Sequence, residues 1–254
     1  VTCLHWRETL VKPRESLRWQ IPVHEVLLPG VPMQVTEPAP SLRRIHRKEL
    51  SKKVHEPGRN LRILEKYVAA KGESDVRALY YYGVELHHTP GRIGDAIRVL
   101  TRYVELANGP TGWNDEKCLA QLELAKIYHH VIAHHHEAIR WALDAMTTKS
   151  WPDPYWVMCR SFFALAMSGV NKEYNLTRAL HWAQMGLLLP DAQTVLFVNP
   201  QDRFDVLRIM AHIHEMRGNV SMALKSSQEA LAGMPGDPTL TAMTLAYQDN
   251  LAKN

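Results

Sequence analysis

Small residues recur at a nearly constant interval along most of this chain. Ala96, Ala138, Ala179 and Ala223 are 41 to 44 residues apart, and each lies in a run whose apolar residues have helical spacing. A small side chain at one repeated helical position lets two helices approach closely at that point in each repeat. The interval therefore predicts stacked helical repeats and limits the architectures that the chain can adopt.

Turn-forming residues divide the sequence after residue 58 into helix pairs. A first apolar stripe contains Leu61, Leu64, Tyr67 and Val68 and ends at Gly72, a suitable helix C-cap. The predicted helices that follow are 75–88 with 93–107, 114–130 with 134–147, 154–168 with 174–189, 203–217 with 219–233, and a final one at 238–252.

The last pair matches the tetratricopeptide pattern without a gap. Leu207, Met210, Ala211 and His214 fall on its first helix, and Ala223, Ser227 and Ala230 fall on its second. The period exceeds the roughly 34 residues of that repeat, so loops and helix ends must absorb the surplus. We expect much of it around Val170–Tyr174, and the register of the third pair stays open.

Residues 1–57 have a different composition from residues 58–254. They contain seven of the fifteen prolines, and the runs 17–21, 23–28 and 41–46 between them favour β-strands. The predicted fold is therefore mainly α, a tetratricopeptide-like α-solenoid of helix pairs with a small N-terminal β region. The two predicted domains are 1–57, which resembles the end of a larger domain, and 58–254.

Composition excludes several classes of protein. A net charge of +4 is too small to indicate nucleic-acid binding, and no apolar run approaches the roughly 18 residues of a membrane span. Cys3, Cys118 and Cys159 are isolated, so we expect neither a disulfide framework nor a zinc knuckle, and we expect a cytoplasmic location. The chain lacks an initiator methionine, and it is interpreted as a fragment or as a processed or alternatively started product.

Aromatic and histidine side chains offer candidate binding residues. Tyrosines 80–82 and the tryptophans at 113, 141, 151, 156 and 182 are interpreted as packing residues, although a concave face could bind a peptide or glycan. Chaperone-binding arrays place Lys and Asn on successive first helices, whereas the comparable sites here are Tyr80/Val84, Leu122/Lys126 and Arg208/His212.

The His clusters 87–88, 129–130 and 134–136 are interpreted as solvated ends of first helices rather than metal ligands.

A series of short phrases resembles the C-terminal part of family-2 glycosyltransferases that have a GT-A domain and a tetratricopeptide tail. The phrases are Trp19–Glu25, Ile45–Lys48, Arg59–Lys66, Tyr81–Leu86, Trp113–Cys118 and Phe197–Asp202. Each motif alone is weak evidence for the family, but the order of the motifs along the chain is more specific. The resemblance implies a nucleotide-sugar donor with Mg²⁺ or Mn²⁺, a metal-side role for His24, and phosphate contacts from His46, Arg47 and Lys48. An ordinary solvated strand end explains that basic trio equally well.

The chain cannot contain a complete GT-A domain. The first 57 residues are too few for a nucleotide-binding core, and they include no Asp-x-Asp motif. The first hypothesis is therefore an accessory portion of a glycosyltransferase, next to a separate catalytic domain, that orients a protein or glycan acceptor or forms a homo-oligomer. The alternative is a non-catalytic scaffold that binds a protein partner, including a phage or complex subunit.

Overall fold

The chain forms two compact units, residues 1–106 and 107–254. The computed structural model describes residues 17–23, 26–29, 56–108, 113–194, 196, 199 and 201–253. The described part is mainly α-helical, and tetratricopeptide-like helix pairs occur in both units.

The first described elements of unit 1 form a short antiparallel hairpin. Strand β1 is Leu17–Gln20 and strand β2 is Val26–Pro29, with Leu17 opposite Pro29 and Gln20 opposite Val26. The strands fall within the first two predicted β runs, except that β2 extends one residue further. The third predicted run, 41–46, lies outside the described residues.

Among the described residues of unit 1, three α-helices follow the hairpin: α1 (Arg59–Lys71), α2 (Val76–His87) and α3 (Ile93–Leu106). Helix α2 packs against both of the others. Asp75 caps α2 by accepting a hydrogen bond from the Ala78 amide, and it also accepts one from the Tyr67 hydroxyl at 2.8 Å. This carboxylate thereby joins the end of α1 to the start of α2.

Unit 2 contains three helix pairs and a final helix. The elements are α4 (Asn114–Lys126), which continues as a π-helical turn over Ile127–Val131, α5 (His135–Thr148), α6 (Asp153–Met167), α7 (Lys172–Leu187), α8 (Asp202–Met216), α9 (Val220–Gly233) and α10 (Pro238–Lys253). The pairs α4/α5, α6/α7 and α8/α9 stack in chain order, and α10 packs on α9.

The repeated small residues lie where the two helices of a pair meet. Ala96, Ala138, Ala179 and Ala223 are all completely buried. A second small residue occurs seven positions later in the last three pairs, as Ala145, Gly186 and Ala230. A Cβ atom built on Gly186 would lie 2.5 Å from Cζ3 of Trp156 on the partner helix, closer than real contacts allow. The alanine period therefore marks helix–helix contacts, as the sequence predicts.

Most of the predicted helix ends lie within two residues of the observed ends. The main difference from the prediction is the position of the residues that exceed the repeat of roughly 34 residues. They do not lie around Val170–Tyr174. A tight turn joins α6 to α7, and the long connection follows α7, between Leu187 and Asp202. Within the part of the chain that the structure describes, no helix combines the length and apolarity needed to cross a membrane.

Two of the three cysteines are buried in unit 2. Cys118 and Cys159 are free thiols with no exposed surface. Burial raises the pKa of each thiol to about 12, which keeps both protonated and unreactive at neutral pH. Cys3 lies outside the described residues.

Candidate functional site

A groove of about 600 Å³ lies on one face of unit 2. The first helices of successive pairs line it: the π-helical end of α4, then α6, then α8. Its volume is within the range of ligand-binding pockets. The groove exists because stacking places the first helices side by side.

One half of the groove is apolar. On α6 the lining residues are Phe163, Ala164 and Met167, and on α8 they are Ile209 and Met216. Met167 and Met216 are the last residues of their helices, and their side chains are 48% and 41% exposed. Methionine is flexible and polarisable, so this half can adapt to different apolar side chains.

The other half of the groove is built on a buried ion pair. Nη2 of Arg160 on α6 donates to Oδ1 of Asp202 on α8 at 2.9 Å, and both side chains are about nine-tenths buried. The same nitrogen lies 3.4 Å from Oδ2 of Asp205, whose Oδ1 accepts from Arg208 at 3.3 Å. These contacts fix α6 against α8 and neutralise both carboxylates.

Histidines form the wall that α4 contributes. The ring of His129 lies 4.4 Å from that of His130 and 5.1 Å from that of His135, centroid to centroid. Nδ1 of His129 is 3.1 Å from Oγ of Ser161, a fully buried hydroxyl on α6. Because Ser161 is inaccessible, this pair is a packing contact and not a nucleophile with its base.

The environment keeps the inner histidines neutral. Burial, with smaller effects from His130, His135 and Arg160, lowers the pKa of His129 to about 3. Burial and the Arg160 charge also lower the pKa of His130, while Asp202 and Asp205 act in the opposite direction. This side of the groove is therefore polar but uncharged at pH 7.

The structure corrects the prediction for the histidine clusters. His134 is the N-cap of α5, so residues 134–136 begin a second helix instead of ending a first one. His129 is half-buried rather than solvated. Across the described ranges, no three His, Cys, Asp or Glu side chains converge in a set that could hold a metal ion.

The residues predicted for a nucleotide-sugar site cannot be placed. His24, His46, Arg47 and Lys48 all lie outside the described residues. By contrast, Arg208 and His212, which the sequence places at a comparable concave site, both line the groove. Sequence reasoning misses Arg160 and Asp202, because their pairing across 42 residues has no local signal.

The aromatic residues are mostly packing residues, as the sequence predicts. Tyr80, Tyr81, Trp141, Trp151 and Trp156 are buried. Tyr80 stacks in a tilted arrangement on Tyr103 of the partner helix, with ring centroids 5.5 Å apart. Phe163 is the aromatic residue that reaches the groove, and sequence reasoning did not select it.

Comparison with known proteins yields fold similarity alone. No protein-family model matches the chain, and no curated protein matches it. The solved structure of MamA has a TM-score of 0.46 with 16% identity, over 76% of this chain and 90% of that one. TTC0263, a thermophilic TPR protein of Thermus thermophilus, has a TM-score of 0.44 with 16% identity, over 74% of this chain and 88% of that one.

These findings correct the resemblance to GT-A glycosyltransferases, which is wrong. None of the comparisons points to a glycosyltransferase. The helix pairs after residue 58 need no such relationship, because the tetratricopeptide pattern alone accounts for them. Where the structure describes these short motifs, they lie in the β-hairpin, at the starts of α1, α4 and α8, and in the second half of α2.

Proposed function

We propose that the chain is a non-catalytic scaffold whose unit 2 groove binds an unstructured segment of a partner protein. The observation that carries this proposal is the exposure of Met167 and Met216 within a concave, ligand-sized groove. Exposed apolar side chains in a concavity rimmed by polar groups are typical of binding sites.

The lining favours a polypeptide over a glycan. Sugar rings are usually stacked on exposed aromatic faces, and Trp141, Trp151 and Trp156 are buried. A peptide instead needs apolar contacts for its side chains and polar groups for its backbone. In the groove, Phe163 and the two methionines can contact apolar side chains of a peptide. Arg208 and His212 can bind its backbone.

A peptide-display experiment tests the proposal. The full chain is used to select from a phage library of random dodecapeptides, and the affinities of enriched peptides are measured by fluorescence anisotropy. Met167→Glu should weaken binding about tenfold or more, because it places a charge where an apolar side chain is desolvated. The matched control is Met185→Glu, since Met185 has a similar exposure on α7 but does not line the groove.

The two variants separate the outcomes. Enriched peptides that bind the Met185 variant like wild type and bind the Met167 variant poorly would support the groove. The proposal would be overturned by failure to enrich any peptide, or by peptides that bind both variants with wild-type affinity. Circular dichroism of each variant checks that the helices are retained.

A further inference from the structure

The apolar half of the groove does not stop at the ends of α6 and α8. The turns within the three helix pairs of unit 2 expose a row of large apolar side chains, here called the turn edge: Val131, Ile132, Met167, Val170, Tyr174, Met216 and Met222. Each of these side chains is between 37% and 57% exposed. Met167 and Met216 belong to both surfaces, so the groove opens directly onto the turn edge.

Contacts of Arg217 join two neighbouring turns of the turn edge. Arg217, in the turn after α8, donates to Oγ1 of Thr177 at 2.6 Å and pairs with Glu173 at 3.4 Å, both near the start of α7. His129 connects the end of α4 to Ser161 in the middle of α6. Side chains from successive repeats therefore line one edge of unit 2.

Arg208 keeps N–H donors for a ligand. Both oxygens of Asp205 are already occupied, by Arg160 and Arg208, and Oδ1 of Asp202 is held by Arg160. Among the described residues, Arg208 uses only Nη2, which leaves its Nε and Nη1 groups available at a side chain that is 40% exposed. Both carboxylates of the groove are thus paired with arginines, and the unused N–H groups of Arg208 can donate to an acidic group of a ligand.

We propose that the partner segment carries an acidic residue that binds Arg208, followed by apolar residues that leave the groove over the turn edge. This inference rests on the proposed function and specifies the ligand of the same groove. Arg208 and Met216 are eight residues apart on α8, or about 12 Å along the helix axis. An extended segment covers that distance in about four residues, which sets the spacing between its acidic and apolar anchors.

The charges of the turn edge favour a polypeptide over a lipid surface. Glu173 pairs with Arg217, and Glu215 and Lys172 also flank the exposed apolar residues. Their charges balance, whereas binding to an anionic membrane needs an excess of Lys and Arg. Binding to a membrane would therefore contradict this proposal.

The experiment uses the enriched library peptide and a second version in which its Asp and Glu residues are replaced by Lys. The original peptide should bind wild type at least about tenfold more tightly, and Arg208→Glu should remove that preference. Arg203→Glu is the matched control, because Arg203 lies on the same helix outside the groove lining. It should leave the preference unchanged.

Val170→Asp tests the turn edge separately. A bound apolar segment would cover the exposed half of Val170, so placing a charge there should weaken binding of the original peptide about tenfold. Leu188→Asp is the control, since Leu188 is highly exposed in the connection after α7 and not in a turn within a pair. Sedimentation with vesicles of phosphatidylcholine and phosphatidylserine should leave the protein in the supernatant.

The inference can fail while the proposed function survives. Peptides that depend on Met167 but prefer Lys over Asp or Glu, or that ignore Val170→Asp, would overturn the acidic–apolar ligand and retain the groove. Vesicle binding that Val170→Asp abolishes would overturn the inference in favour of a lipid surface. Loss of every peptide signal would overturn the proposed function itself.

Discussion

At the scale of single residues, the buried ion pair between Arg160 and Asp202 is expected to dominate local stability. Arg160→Ala would leave the Asp202 carboxylate buried without its partner. Breaking such a pair should lower the free energy of unfolding by about 3–5 kcal/mol, measured by urea denaturation. Arg140→Ala, which removes the exposed pair with Glu137, should cost less than about 1 kcal/mol.

A double variant separates the charge from the packing. Arg160→Met combined with Asp202→Leu removes both charges and keeps apolar volume at the same place. Because this change leaves no unpaired charge, it should recover most of the stability that Arg160→Ala loses. If Arg160→Ala proves as stable as wild type, the pair has no role in holding α6 against α8.

The lowered pKa of His129 predicts how the free energy of unfolding depends on pH. Its folded-state pKa of about 3 lies below the ordinary value of 6.5, so the unfolded chain binds the proton more readily. The neutral ring therefore contributes its full stability above pH 6.5, and this contribution falls as the pH drops below that value. Between pH 7 and 5.5 the loss should be on the order of 1 kcal/mol.

The comparison of wild type with His129→Gln isolates this effect. The variant should lose less stability than wild type over that range in urea titrations at each pH. Burial raises the pKa of Asp153 to about 6, which acts in the opposite sense, but this group is common to both proteins. Equal slopes for the two proteins would show that the His129 ring is not shielded from water.

At the scale of helix pairs, close packing should make some glycines irreplaceable. A Cβ at Gly186 would meet the ring of Trp156 and, at 2.8 Å, Cβ of Tyr155. Gly186→Ala should therefore destabilise the chain by about 1–3 kcal/mol, despite the better helix propensity of alanine. Gly94→Ala in α3, where a Cβ meets nothing within 4 Å, should instead stabilise it by about 0.5–1 kcal/mol.

Thermal denaturation of the two alanine variants measures this contrast. Opposite signs are expected, because propensity acts alone at Gly94 and is outweighed by steric overlap at Gly186. An increase in stability for both variants would mean that α6 and α7 can separate without cost. That result would contradict the close approach that the repeated small residues indicate.

The bounds of the helices could be predicted from sequence because their signals are local. Asp75 and Asn219 cap helices beside apolar periodicity, and Gly218 ends α8 with a positive φ of 72°. The π-helical turn over Ile127–Val131 has no comparable signal. The sequence pattern predicts ordinary helix up to residue 130 and does not distinguish this turn.

At the scale of the whole molecule, the groove could not be predicted from local patterns. It depends on how α4, α6 and α8 stack, and that depends on loop lengths and on contacts such as the pair between Arg160 and Asp202. Two groove residues, Arg208 and His212, could be selected from the sequence, because the last helix pair matches the tetratricopeptide pattern without a gap. The glycosyltransferase hypothesis failed because weak phrases in a shared order were given more weight than the repeat itself.

Unit 2 should fold and bind without unit 1. Two core clusters of the described residues, one around Trp156, Leu176 and Ile213 and a smaller one at Ala211, Ala223 and Tyr247, are drawn from residues after 107. About 150 residues are enough for an independent core. The fragment 107–254 should therefore show a helical circular dichroism spectrum and one cooperative urea transition.

The same fragment connects stability to the proposed binding. All residues that line the groove or form the turn edge belong to unit 2, so the fragment should bind the enriched library peptide with the affinity of the full chain. Arg208→Glu should weaken binding equally in both proteins. A folded fragment that binds the peptide at least about tenfold more weakly would show that residues before 107 contribute to the site, because that difference corresponds to about 1.4 kcal/mol of missing contacts.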